Sequence, residues 1–243
     1  MNCSVLLVAL CLVIVPALER RALDAVAAPP SEMQIRPVAR CVQDAELRQS
    51  LATLKLQGGP DVAKVYEAFL TKANTTPECR TEVVEALISG LEQASKDNKM
   101  NQNEKFFLWQ AGAGLLADLK ATEALDLLVA NINLTDGWST SLSQSHTPVL
   151  AAILEFGAPA IPKLQTLLSK DSDPSKRLFA ALAIASIGGS QARKALSSAL
   201  PNETDPCVKN FVNVSLQAFN NKKKPNHISS ELNGKWLSAF YCR

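Results

Sequence analysis

The second half of this chain repeats itself, and the spacing limits what it can fold into. Ala160 and Ala192, Leu164 and Leu196, and Leu168 and Leu200 each stand 32 residues apart. Asp173-Pro174 and Asp205-Pro206 do the same. One unit earlier, Ala124, Leu128 and Ile132 precede Ala160, Leu164 and Leu168 by 36 residues. The four extra residues fall in the loop Asn133–Ser145. A small residue followed by two large aliphatics at four-residue intervals marks one face of a helix. A period of this length means a supersecondary unit that cannot bury its apolar face alone and stacks on its neighbours.

Start and stop signals divide each unit into two helices. Asp173-Pro174 and Asp205-Pro206 read as helix starts, with Asp capping free N–H groups and Pro tolerated at the first position. Phe156-Gly157 and Ile187-Gly188-Gly189 read as stops. The pattern predicts a longer helix such as 175–187, a glycine turn, and a shorter helix such as 191–199. Further upstream, Leu47, Leu51, Leu54 and Leu56 give an amphipathic run that ends at Gly58-Gly59-Pro60. Val62, Val65, Tyr66, Phe69 and Leu70 lie on one face of the next helix. Thr76-Pro77-Glu78 reads as another N-terminus, followed by Val83, Val84, Leu87, Ile88 and Leu91. Residues 106–119, FFLWQAGAGLLADL, are apolar all round and predict a buried helix. Ala111-Gly112-Ala113-Gly114 lacks the preceding strand and following Lys-Ser/Thr of a phosphate loop. It predicts close helix contact across small side chains. No segment alternates with period two, so the expected class is all-α, an α-solenoid of stacked hairpins.

The string Phe156-Gly157-Ala158-Pro159-Ala160-Ile161-Pro162-Lys163-Leu164, followed by Asp173-Pro174-Ser175-Lys176-Arg177, resembles the HEAT-like repeat family. Ala180-Ala181-Leu182, Ile187-Gly188, Ala192 and Asp205-Pro206-Cys207-Val208-Lys209 continue the likeness. The likeness includes the short version first recognised in phycobilisome lyases. It covers residues of about 104–220, and residues 44–100 carry helical patterns outside it. The resemblance implies an α-solenoid with a binding or scaffolding role. Its lyase branch implies a second reading, an accessory or lyase-like module acting on a cofactor-bearing partner. In the family arrangement the shorter helices line the concave face. Their polar positions here are Glu123, Asp126, Lys163, Gln165, Arg193 and Lys194.

The ends of the chain point to export. Residues 3–16, CSVLLVALCLVIVP, are uncharged and too short for a spanning helix. They suit the apolar region of a secretory leader, with cleavage after Ala17 or Ala27. The expected organisation is a leader over 1–27 and a Pro-rich linker over 28–43. A helical-repeat domain then spans 44–220, and a basic linker with a capping helix spans 221–243. The expected location is secreted or periplasmic, with membrane contact only through an uncleaved leader. Cys41, Cys79, Cys207 and Cys242 follow the leader. An even count in an exported chain predicts two disulfides. Shorter closures favour Cys41–Cys79 and Cys207–Cys242. Asn74, Asn133, Asn202 and Asn213 begin N-glycosylation sequons. In the tail, Leu232, Trp236 and Phe240 share one helical face that would close the stack.

Charge narrows the function classes. Twenty-five Lys and Arg against 23 Asp and Glu give a net charge of +2. A dedicated nucleic-acid binder shows a strong basic excess instead. His146 and His227 are the only two histidines. Neither has a Cys, Asp or Glu at catalytic or metal-ligand spacing, and no G-x-S-x-G string is present. The expectation is a protein-binding module with no catalytic residue, metal or cofactor. The loop 131–147 is long for a helix connection, and long loops often carry function. Its Trp138 is either tucked back over the hairpins or an aromatic anchor that touches a partner.

Overall fold

The computed structural model describes Cys41, residues 43–136 and residues 146–220. All of these fall within one compact unit, Ala39–Arg243. The expected leader, most of the linker, Trp138, Cys242, His227 and the tail residues Leu232, Trp236 and Phe240 lie outside the described residues.

Among the described residues the structure is helical, with no strand. The first three helices are α1 (Asp44–Leu54), α2 (Pro60–Ala73) and α3 (Pro77–Lys96). Next come α4 (Gln102–Asp118), α5 (Leu125–Ala130), α6 (Pro148–Phe156) and α7 (Ile161–Lys170). The last three are α8 (Pro174–Ile187), α9 (Gly189–Ala199) and α10 (Pro206–Asn220). Single 3-10 turns at Thr122–Ala124, Ala158–Ala160 and Leu200–Asn202 adjoin α5, α7 and α9.

The starts are made as their residue types dictate. The Thr76 hydroxyl accepts from the Cys79 N–H, and Asn101 Oδ1 accepts from the Glu104 N–H at 2.8 Å. Asp173 Oδ1 takes the Ser175 N–H, and Asp205 Oδ1 takes those of Cys207 and Val208. Pro77, Pro148, Pro174 and Pro206 stand at the first helical position, where no N–H is needed. Gly157 ends α6 at φ 64° and ψ −136°, and Gly188 ends α8 at φ 75° and ψ −169°. A side chain is strained in that region, which is why glycine stands there. One detail differs from expectation. α6 has nine residues against ten in α7, so the first helix of that unit is not the longer. Pro148 and Gly157 bound it on both sides.

The helices contact one another in two rows. α2, α4, α6, α8 and α10 touch in succession, and α5, α7 and α9 touch in succession. Neighbours in sequence link the rows, as α7–α8 and α8–α9 do. The buried residues form one continuous cluster from Leu54 to Val212. α4 and α8 are buried on most sides; Trp109, Leu115 and Leu116 of α4 are fully enclosed. The small residues work as the spacing predicts. A Cβ on Gly112 would come within 2.9 Å of Leu91, and one on Gly90 within 2.9 Å of Leu51. Gly114 leaves room for the Tyr66 hydroxyl, which donates to Asp118 Oδ2 at 2.6 Å. Burial, then the bond and charge of Asp118, push the Tyr66 phenol above its ordinary range.

Cys41 and Cys79 form a disulfide with a Cα–Cα distance of 5.3 Å, tying the start of the domain to α3. The Cys41 N–H also donates to Glu82 at 2.8 Å. Cys207 is disulfide-bonded as well. No described helix is long and apolar enough to cross a membrane.

Candidate functional site

The expected partner-facing residues lie along the row α5–α7–α9. Glu123, in the turn before α5, accepts from Arg80 Nη1 of α3 at 2.9 Å. Burial alone would raise the Glu123 carboxyl. Its own backbone N–H, Arg80 and Thr122 outweigh that and hold it below the usual carboxylate range. Asp126 on α5 pairs with Lys163 on α7 at 2.7 Å. Thus three of the six candidates are joined to other helices of the same chain. Gln165 is half-buried. Arg193 and Lys194 on α9 are exposed and have no ion pair among the described residues. Of the six candidates only Arg193 and Lys194 are cations without an ion pair, and Lys170 at the end of α7 is a third among the described residues.

Two arginines outside the six candidates, one of them Arg177 of the repeat string, organise the flanks of this row. Arg80 and Arg177 each stand three residues after the Pro that opens a helix. Arg80 Nη2 donates to the carbonyls of Leu119 and Lys120 at the end of α4, while Nη1 holds Glu123. Arg177 Nη1 donates to the carbonyls of Asp171 and Ser172, just beyond α7. Its Nε and Nη2 grip both oxygens of Glu203 at 2.9 and 2.8 Å. Each guanidinium thus closes the carbonyls at a helix end and binds a carboxylate at once. Only the planar Arg fork offers donors in that arrangement. The Arg177 and Glu203 side chains are 12% and 3% exposed. Burial would raise the Glu203 carboxyl. Arg177 and the N–H groups of Asp205 and Thr204 more than reverse this and hold it low.

The loop 131–147 is anchored at its base. His146 Nδ1 hydrogen-bonds the Asp136 carboxylate, joining residues on either side of 137–145. Asn133 Nδ2 donates to Asp173 Oδ2 at 3.4 Å, fastening the loop to the start of α8. The fold thus places an acid beside His146 that nine intervening residues hid in the sequence. An acid that orients a histidine is one part of a catalytic dyad. Among the described residues no hydroxyl or thiol bonds the other ring nitrogen.

Two further features bear on ligands. A shallow depression lined by Glu46, Ser50, Val65, Ala68, Phe69 and Lys72 holds about 10 Å³, room for one water. Small-molecule sites are far larger, roughly 300–1,000 Å³. Among the described residues no group of three or more His, Cys, Asp or Glu could hold a metal ion. No family model, curated protein or solved structure matches this chain.

Proposed function

We propose that this chain is an exported HEAT-like α-solenoid that binds another protein and holds it in an assembly. The observation that carries the reading is the pair of successive helix rows, one of which carries exposed cations without an ion pair among the described residues. Along the row α5–α7–α9, Glu123, Asp126 and Lys163 are joined to other helices, while Lys170, Arg193 and Lys194 are exposed with no ion pair among the described residues. Uncommitted cations on a firmly held helix suit recognition of an acidic protein surface. Trp138, in the loop whose base is fastened by His146–Asp136, supplies the second contact. The Cys41–Cys79 bond suits an oxidising compartment outside the cytosol.

The test is affinity capture with the wild-type chain, with Arg193→Glu plus Lys194→Glu, and with Trp138→Ala. The expected result is one partner lost by the charge reversal and weakened by Trp138→Ala, with melting temperatures unchanged. Identical capture by all three chains would refute this binding surface. Capture lost only in step with falling stability would also count against it.

A further inference from the structure

We infer that Asn202 is an N-glycosylation site, and that Asn133 and Asn213 are not. This rests on the export reading, because glycan transfer of this kind occurs in a secretory compartment. Four sequons are present, and the fold treats them differently. Asn202 lies in the exposed 3-10 turn Leu200–Asn202, between α9 and α10. Its amide makes no hydrogen bond among the described residues, and Thr204 of the same sequon is exposed. The residues around it are fixed: Glu203 is gripped by Arg177, and Asp205 caps α10. The turn therefore holds Asn202 outward, where a bulky hydrophilic group costs the core nothing.

The other sequons fare worse. Asn133 Nδ2, the atom a sugar would take, is half-buried and donates to Asp173 at 3.4 Å. A glycan there would break the bond that fastens the loop to α8. Asn213 is exposed but lies within α10, and Ser215 of its sequon is fully buried. Helix formation therefore withdraws the hydroxyl residue that a transferase must read. Asn74 is exposed at the end of α2. Its Thr76, however, is followed directly by Pro77, which stiffens the acceptor segment.

In the transfer step the Asn202 amide nitrogen bonds to the anomeric carbon of a polyprenyl-diphosphate-linked oligosaccharide. The anomeric C–O bond breaks, and the polyprenyl diphosphate leaves with its electron pair. One amide proton passes to the transferase's base.

The test uses the full chain recovered from its exporting cells, digested with peptide-N-glycosidase beside Asn202→Gln and Thr204→Ala. The expected result is glycosidase-sensitive mass on the wild type, with Asp left at position 202 after digestion. Both variants should lose that glycan entirely, and two different substitutions guard against a folding defect in either. An exported chain with the Cys41–Cys79 bond intact and no glycosidase-sensitive mass would overturn the proposal alone. So would a glycan mapped to Asn133 or Asn213. A chain kept inside the cell with free thiols at Cys41 and Cys79 would overturn the export reading and this proposal with it.

Discussion

Replacing Arg177 with Ala should be among the most damaging single changes in the molecule. The substitution removes two charge-assisted bonds to Glu203 and two bonds to the carbonyls of Asp171 and Ser172. It leaves a carboxylate that is 3% exposed, held only by the N–H groups of Asp205 and Thr204. Losing one partner of a buried ion pair costs about 3–5 kcal/mol, because the other charge stays desolvated. For a domain of this size each kcal/mol lowers the melting temperature by roughly 2–4 °C. Denaturant unfolding followed by circular dichroism at neutral pH would give the loss directly. Acid supplies a second arm. The folded Glu203 carboxyl sits below its unfolded value, so its stabilisation is present above the unfolded pKa of about 4.3 and fades as pH falls through the folded one. The gap between wild type and variant should therefore narrow in strong acid. Replacing both partners, Arg177→Met with Glu203→Leu, should recover much of the loss. A cost below about 1 kcal/mol, or a gap indifferent to acid, would refute the role given to this pair.

Three further changes test other parts of the fold. Lys120 ends α4 at φ 50°, and the Ala121 and Lys120 N–H groups return to Leu116 and Ala117 in a Schellman turn. Lys120→Gly should therefore stabilise by up to about 1 kcal/mol, read as a higher denaturant midpoint, and a lower midpoint would count against it. Gly188→Ala should cost about 1–3 kcal/mol, since φ 75° with ψ −169° is open only to glycine; an unchanged midpoint would show that the turn can relax. Removing the Cys41–Cys79 bond, which spans 38 residues, with two Cys→Ser changes should cost about 4 kcal/mol. Equal stability of the reduced and oxidised wild type would sink that estimate.

The helical class, the caps and the close contacts were legible because each depends on neighbours in sequence. Asp173 caps the helix that starts one residue later, and Gly188 stops the helix just before it. Gly112 could be read as a contact point, since an apolar helix with small residues has little else to do with them. Long-range pairing was a different matter. Asp126 meets Lys163 across 37 residues, Arg80 meets Glu123 across 43, and Arg177 meets Glu203 across 26. Only a helix packing order reveals such partners. The His146–Asp136 contact was hidden for the same reason, because it depends on how the loop returns to its own base.

Those partners also explain why near-zero net charge was a weak guide to the site. Helices that touch in rows need links where one row meets the next. An arginine three residues past an opening proline supplies two of them, at Arg80 and Arg177. The 97 residues between the two are close to three periods of 32, so α3 carries the same junction as α8 although its sequence lies outside the clear repeat. Charges used in this way are structural, and counting them with the rest overstates the surface available to a partner. Once they are set aside, the row α5–α7–α9 is no longer mixed in sign. It keeps Lys170, Arg193 and Lys194, which is why the proposed partner is one with an acidic surface.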